Sequence, residues 1–292
     1  MSIPIWAFAG LIASGMAATM MLVQEKQKAE GFALAAWNKM TICLLLIIPA
    51  LYIGFPHNPE FYLYTAATAI IYAISDVIFF NLVSRSGAGV VSRILPLNVI
   101  FIFVAWLPFD PDLVSHYLSN PWQTTGIVMA LTGAAFSAAV LKKCEFSWDA
   151  IKYGWFIIVA GVAGSVLLKK AMVGIDPMQA AISFVPIQAA MMVACWAIYY
   201  TVRRPIPAKT LFSKESIKAG GIIGCITTIM VTANVYGIAV AENPAYMSAL
   251  FHLSSVFVIL YYRLIKHKEV ANVKAGMGVV FCAVALILLK SI

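Results

Sequence analysis

Ten apolar stretches, each close to the thickness of a bilayer, leave this chain one plausible fold class. They cover residues 3–23, 31–55, 61–84, 88–108, 122–141, 152–173, 177–202, 219–241, 244–265 and 273–289. A helix needs about 20 residues to cross the hydrocarbon layer. Within that layer each backbone N–H and C=O must find its partner inside the protein, which a helix achieves alone. Of 292 residues, 62% are hydrophobic and 11% charged, against about 25% charged in soluble domains. The expected fold is an all-α polytopic membrane protein with ten transmembrane helices and short loops.

The formal charge of +8 could suggest a nucleic-acid partner, but its distribution points to the lipid bilayer. Loops after odd-numbered segments carry Lys26, Lys28, Arg85, Lys142, Lys143, Lys152, Arg203, Arg204, Lys209, Lys214, Lys218, Arg263, Lys266, Lys268 and Lys274. Loops after even segments, with the termini, carry Lys169, Lys170 and Lys290. Fifteen against three assigns the odd loops to the cytoplasm and both termini to the other side. Lys26 and Lys28 follow the first apolar run, whereas a signal peptide carries its positive charge before it, so a retained first helix is expected. The five cysteines show no CxxC or metal-ligand spacing, and no metal or cofactor is expected.

The polar linker 142–149 divides the chain into halves, 1–146 and 147–292, of five segments each. Gly10-Leu-Ile-Ala-Ser14 echoes Gly161-Val-Ala-Gly-Ser165, and Gly126 stands in segment 5 where Gly276 stands in segment 10. Arg93-Ile-Leu-Pro96 is followed 14 residues later by Asp110; His252-Leu-Ser-Ser255 is followed 14 later by Glu269. Five spans is an odd number, so the second half enters the membrane from the opposite side. The expectation is two inverted five-helix repeats, an arrangement that places a substrate site near the midplane.

Polar groups inside the apolar runs are the candidate site residues. The hairpin 61–108 carries Asp76, Asn81, Arg93 and Asn98, with Pro96 removing a backbone donor beside them. A charge at bilayer depth costs roughly 2.5–3.5 kcal/mol on insertion scales and faces a cavity or a partner. Counting 1.5 Å per residue, Lys39, Asp76 and Arg93 lie at a common depth of roughly 8–12 Å. Two readings stay open: Asp76 balances Lys39 or Arg93 structurally, or Arg93 or Lys39 receives an anionic group while Asp76 gates or carries a proton. His252 occupies the position matched to Arg93, and an imidazole that titrates near 6.5 suits proton coupling. Asn234, Tyr236 and Gln188 are further groups able to bond a substrate, and Trp37 lies deep enough to face a cavity. Trp6, Trp106, Trp122, Trp148 and Trp155 fall near span ends, as interface anchors do.

No phosphate loop, HExxH, GxSxG or paired catalytic carboxylate appears, so no catalytic residue is named. A membrane-embedded enzyme is the alternative from another class; it should show clustered acids or histidines at an interface, and the sequence offers only Asp110, Asp112 and His116. They are spaced like a polar loop.

Segments 8–10 read Asn234-Val-Tyr236-Gly, Pro244–Ser255, Arg263-Leu-Ile-Lys-His-Lys-Glu269 and Gly276-Met-Gly278. This resembles the closing unit of the drug/metabolite transporter superfamily, in its ten-helix EamA-like permeases. Segments 3–5 resemble the same unit through Pro96, Asp110 and Gly126, and Lys39 stands where members often place an arginine. Lys268 and Phe109 replace the glycine usual before the acidic residue. The resemblance implies a cavity lined mainly by helices 1, 3, 4, 6, 8 and 9, and a location in the bacterial inner membrane. It also implies a secondary active transporter, an exporter of small polar or amphipathic metabolites and not an enzyme. An exchanger of organic anions or phosphorylated metabolites is the alternative suggested by Lys39 and Arg93.

Overall fold

The computed structural model describes residues 4–27, 29–86, 98–140, 148–265 and 273–291. Among these residues the regular structure is helical throughout. The first half holds α1 (Ile5–Gln27), α2 (Gly31–Ile53), α3 (Pro59–Ser86), α4 (Asn98–Trp106), α5 (Pro111–Ser119) and α6 (Pro121–Ala139). The second holds α7 (Trp148–Ala171), α8 (Pro177–Arg203), α9 (Ala208–Leu211), α10 (Lys214–Val240), α11 (Pro244–Phe251), α12 (Leu253–Leu264) and α13 (Val273–Leu289).

The helix starts follow from local chemistry. Asp110, Asp176, Ser213 and Asn243 each accept a hydrogen bond from a first-turn backbone N–H, and three of these caps are followed directly by proline. Proline at the first helical position loses nothing, because its missing N–H would have had no helical partner. The Ser213 cap starts α10 at Lys214, ahead of the apolar run that begins at 219.

Seven stretches are long and apolar enough to cross a membrane: Ile5–Gln27, Gly31–Ile53, Pro59–Leu82, Gly154–Ala171, Pro177–Arg203, Lys214–Val240 and Pro244–Leu264. An eighth exists if Asn98–Phe109 and Pro111–Ser119, bent by 109° at Asp110, count as one. α5 therefore turns aside from the line of α4. The ninth expected segment is continuous in span but broken in structure, since a turn at His252 separates α11 from α12. Arg93 and Pro96 lie outside the described residues.

Large apolar side chains such as Phe8, Ile48, Leu63, Phe136 and Phe281 point outward from the bundle. An apolar exterior of this extent suits lipid. The protein is accordingly a multi-pass helical membrane protein. Inside, one apolar cluster gathers around Phe61, Phe184, Tyr246 and Leu250, and a second around Leu34, Met192, Trp196 and Ile223. α1 packs on α10, α11 and α12; α7 packs on α3 and α4. α2 lies against α8 and α10, α3 against α8, α4 against α11, and α6 against α13.

A buried polar cavity between the helices

Residues from both apolar clusters wall a cavity of about 280 Å³. Pockets of roughly 300–1,000 Å³ hold small molecules, so this one takes a compact ligand. α1, α2, α3, α4, α7, α8, α10 and the α11–α12 break all contribute. The wall thus includes α2 and α8, the second and seventh of the ten expected spans, which the resemblance does not count among the main contributors.

Its charged corner is an ion pair. Lys39 Nζ lies 3.0 Å from the Asp76 carboxylate, with side chains 10% and 24% exposed. Lys39 and Asp76 therefore sit at one level, as residue counting implies, and Lys39 is the partner of Asp76 among the described residues. Gln188 Nε2 donates to Thr68 Oγ1 at 3.0 Å. Asn98 reaches the cavity because Gly161 on α7 offers no Cβ; one added there would overlap the Asn98 amide.

Four other polar atoms on cavity residues have no partner. Asn38 Oδ1, Asn98 Oδ1, Thr227 Oγ1 and His252 Nε2 are buried and make no hydrogen bond among the described residues. Asn38, Thr227 and His252 are 1%, 3% and 5% exposed. A buried unsatisfied group costs about 1–3 kcal/mol, so four around one cavity is a deliberate departure from structural economy. Methionine and phenylalanine side chains, including Met20, Met230, Phe79 and Phe251, complete the wall.

Of the expected site residues, Lys39, Asp76, Asn98, Gln188, Asn234 and His252 line this cavity together. Three others point elsewhere. The Trp37 indole donates to Leu211 O at 2.7 Å and its ring meets Phe212. Tyr236 packs on the apolar cluster around Tyr246. Asn81 sits against Gly31 at the start of α2, where a Cβ would overlap its amide oxygen. Arg93 lies outside the described residues. Asn38 and Thr227 were not anticipated.

A second polar region gathers at the C-terminal ends of α7 and α10. Lys169 Nζ donates to Ala239 O at 2.9 Å and Ala241 O at 2.6 Å, closing the end of α10. The hydroxyls of Tyr117 and Tyr246 bond to each other while buried, and Lys290 pairs with Glu242. Asp110, Asp112 and His116 line an adjoining hollow, and Asp110 is engaged in capping α5. No group of three or more metal-ligating side chains occurs among the described residues.

No family model matches this sequence, and no curated protein does. Solved structures do match. One, described only as "Crystal structure of protein", aligns over 100% of both chains with a TM-score of 0.66 at 13% identity. At that identity the likeness is one of fold.

Proposed function

We propose that this chain is a secondary active transporter that exports small polar or amphipathic metabolites by alternating access between two inverted five-helix repeats. The observation that carries the reading is the cavity itself: an ion pair and four unpartnered polar atoms, walled by helices from both halves. Intramembrane ionisable groups mark substrate or ion pathways, and repeat interfaces are where such transporters bind.

The packing pattern supports the repeat. If α1, α2, α3, α4 and α6 correspond to α7, α8, α10, α11–α12 and α13, the contacts come in equivalent sets. α1 on α10 is matched by α7 on α3, and α1 on α11–α12 by α7 on α4. α2 on α10 is matched by α8 on α3, while α2–α8, α4–α11 and α6–α13 join each helix to its own counterpart. Ten spans follow when α4 is counted as the described part of the fourth and α11–α12 as the ninth.

The resemblance to drug/metabolite transporters adds the direction of transport and the bacterial inner membrane; the basic-residue bias adds cytoplasmic odd loops. His252 is the proposed site of proton coupling. The test is counterflow in proteoliposomes of the purified chain. A labelled compound from a metabolite panel should accumulate against its unlabelled form faster than in protein-free vesicles. A broad panel with no exchange by folded, reconstituted protein would reject transport.

A further inference from the structure

We infer that the cavity recognises an uncharged ligand that donates hydrogen bonds from a compact apolar body. This rests on the transport reading for the cavity's purpose, but its chemistry follows from the wall alone.

An anion drawn to Lys39 must share it with Asp76, 3.0 Å away, and gives the pair a net negative charge in a mostly apolar cavity. A cation drawn to Asp76 gives a net positive charge in the same way. Uncompensated charge in a low-dielectric site is more expensive than the pair that it replaces. A neutral ligand leaves the pair closed. It also finds waiting acceptors, since two of the four unpartnered atoms are the side-chain oxygens of Asn38 and Asn98.

Thr227 makes the same point by contrast. Thr41, Thr65 and Thr228 each donate to a carbonyl one turn back on their own helix, at 2.8, 2.6 and 2.7 Å. Thr227 does not, although it is as buried as Thr65 and Thr228. Its hydroxyl and His252 Nε2 can each accept or donate as the ligand requires. The rest of the wall is mainly methionine, phenylalanine and aliphatic side chains, which suits an apolar body.

The test uses the purified full-length chain in detergent and three probes of one shape: phenylacetamide, phenylacetate and phenethylammonium. Phenylacetamide should raise the unfolding midpoint, and the two charged probes at equal concentration should not. Asn38→Leu and the isosteric Thr227→Val should hold or raise the midpoint of the unliganded protein while weakening phenylacetamide binding at least tenfold. A merely structural role predicts the reverse, a fall in midpoint with the ligand shift retained. If Asn38→Leu does not fold, Thr227→Val carries the comparison. Binding of either charged probe as tightly as the amide, or of none of the three, overturns the inference. Counterflow separates the two ideas. Exchange of a charged metabolite retires the ligand class and keeps the transporter, whereas amide binding without any exchange does the opposite.

Discussion

The two polar regions of this bundle have similar residue types and opposite accounting. At the ends of α7 and α10, Lys169 is held by two carbonyls, Tyr117 by Tyr246, and Lys290 by Glu242. Asn243, fully buried, donates to Phe103 O at 3.4 Å and caps α11 through Ala245 N. Around the cavity, four polar atoms have no partner among the described residues. Eight such atoms exist among the described residues; four belong to the cavity wall, and one, the Trp106 indole nitrogen, borders the α7–α10 hollow. A satisfied network rigidifies, while an unsatisfied one lowers stability in exchange for something else. The first region thus reads as a fastening and the second as a site.

If partnering rather than position separates the regions, the largest effect should come from the one partnered element inside the cavity. Asp76→Asn leaves Lys39 charged and largely buried, and should lower stability by about 3 kcal/mol. The double variant Asp76→Asn with Lys39→Met should recover most of that loss. Unfolding midpoints and expression in detergent measure both. A single variant that unfolds like the parent would remove the pair from the comparison.

Lys169→Met comes next. It deletes two charge-assisted bonds to the end of α10 and should cost about 2–3 kcal/mol. Tyr117→Phe leaves the Tyr246 hydroxyl alone in an apolar setting and should cost about 1 kcal/mol. Both losses should appear in unfolding midpoints without changing ligand affinity. A variant here that keeps its stability and loses binding would move the site to this end.

Much of this was legible in the chain, and the misses have a common cause. Segment starts at Pro177 and Pro244 follow directly from a cap residue and a proline. The Lys39–Asp76 level followed from counting rise per residue, but depth says nothing of azimuth. Trp37 and Lys39, like Asn234 and Tyr236, are both candidates by depth and residue type, yet the members of each pair are two positions apart. On a helix such residues point about 200° from one another. Lys39 and Asn234 line the cavity, and their neighbours face α9–α10 and the apolar cluster. Thr227 was invisible because most helical threonines bond their own backbone, and only the packed structure reveals one that does not.

The smallest effect on stability should come from His252. Its residue forms the break between α11 and α12, with φ −70° and ψ −13°, which is ordinary right-handed helical backbone. The break is closed by main chain: His252 N–H donates to Ala249 O at 3.3 Å, and Ser255 N–H donates to His252 O at 3.1 Å. His252 is 5% exposed, its Nε2 has no partner among the described residues, and the bonds that close the break are main-chain ones. His252→Leu keeps the side chain's approximate volume and removes a buried polar atom that has no partner among the described residues, so the unfolding free energy should hold or rise, by about 1 kcal/mol at most. Transport should respond differently. Under the proton-coupling proposal the variant loses the titrating group that the imidazole supplies, and the pH profile of counterflow should flatten while ion pairing at Lys39 and Asp76 persists. If His252→Leu destabilises the protein as Lys169→Met does, the imidazole is a fastening. The contrast between the two regions would then fail at its most exposed point.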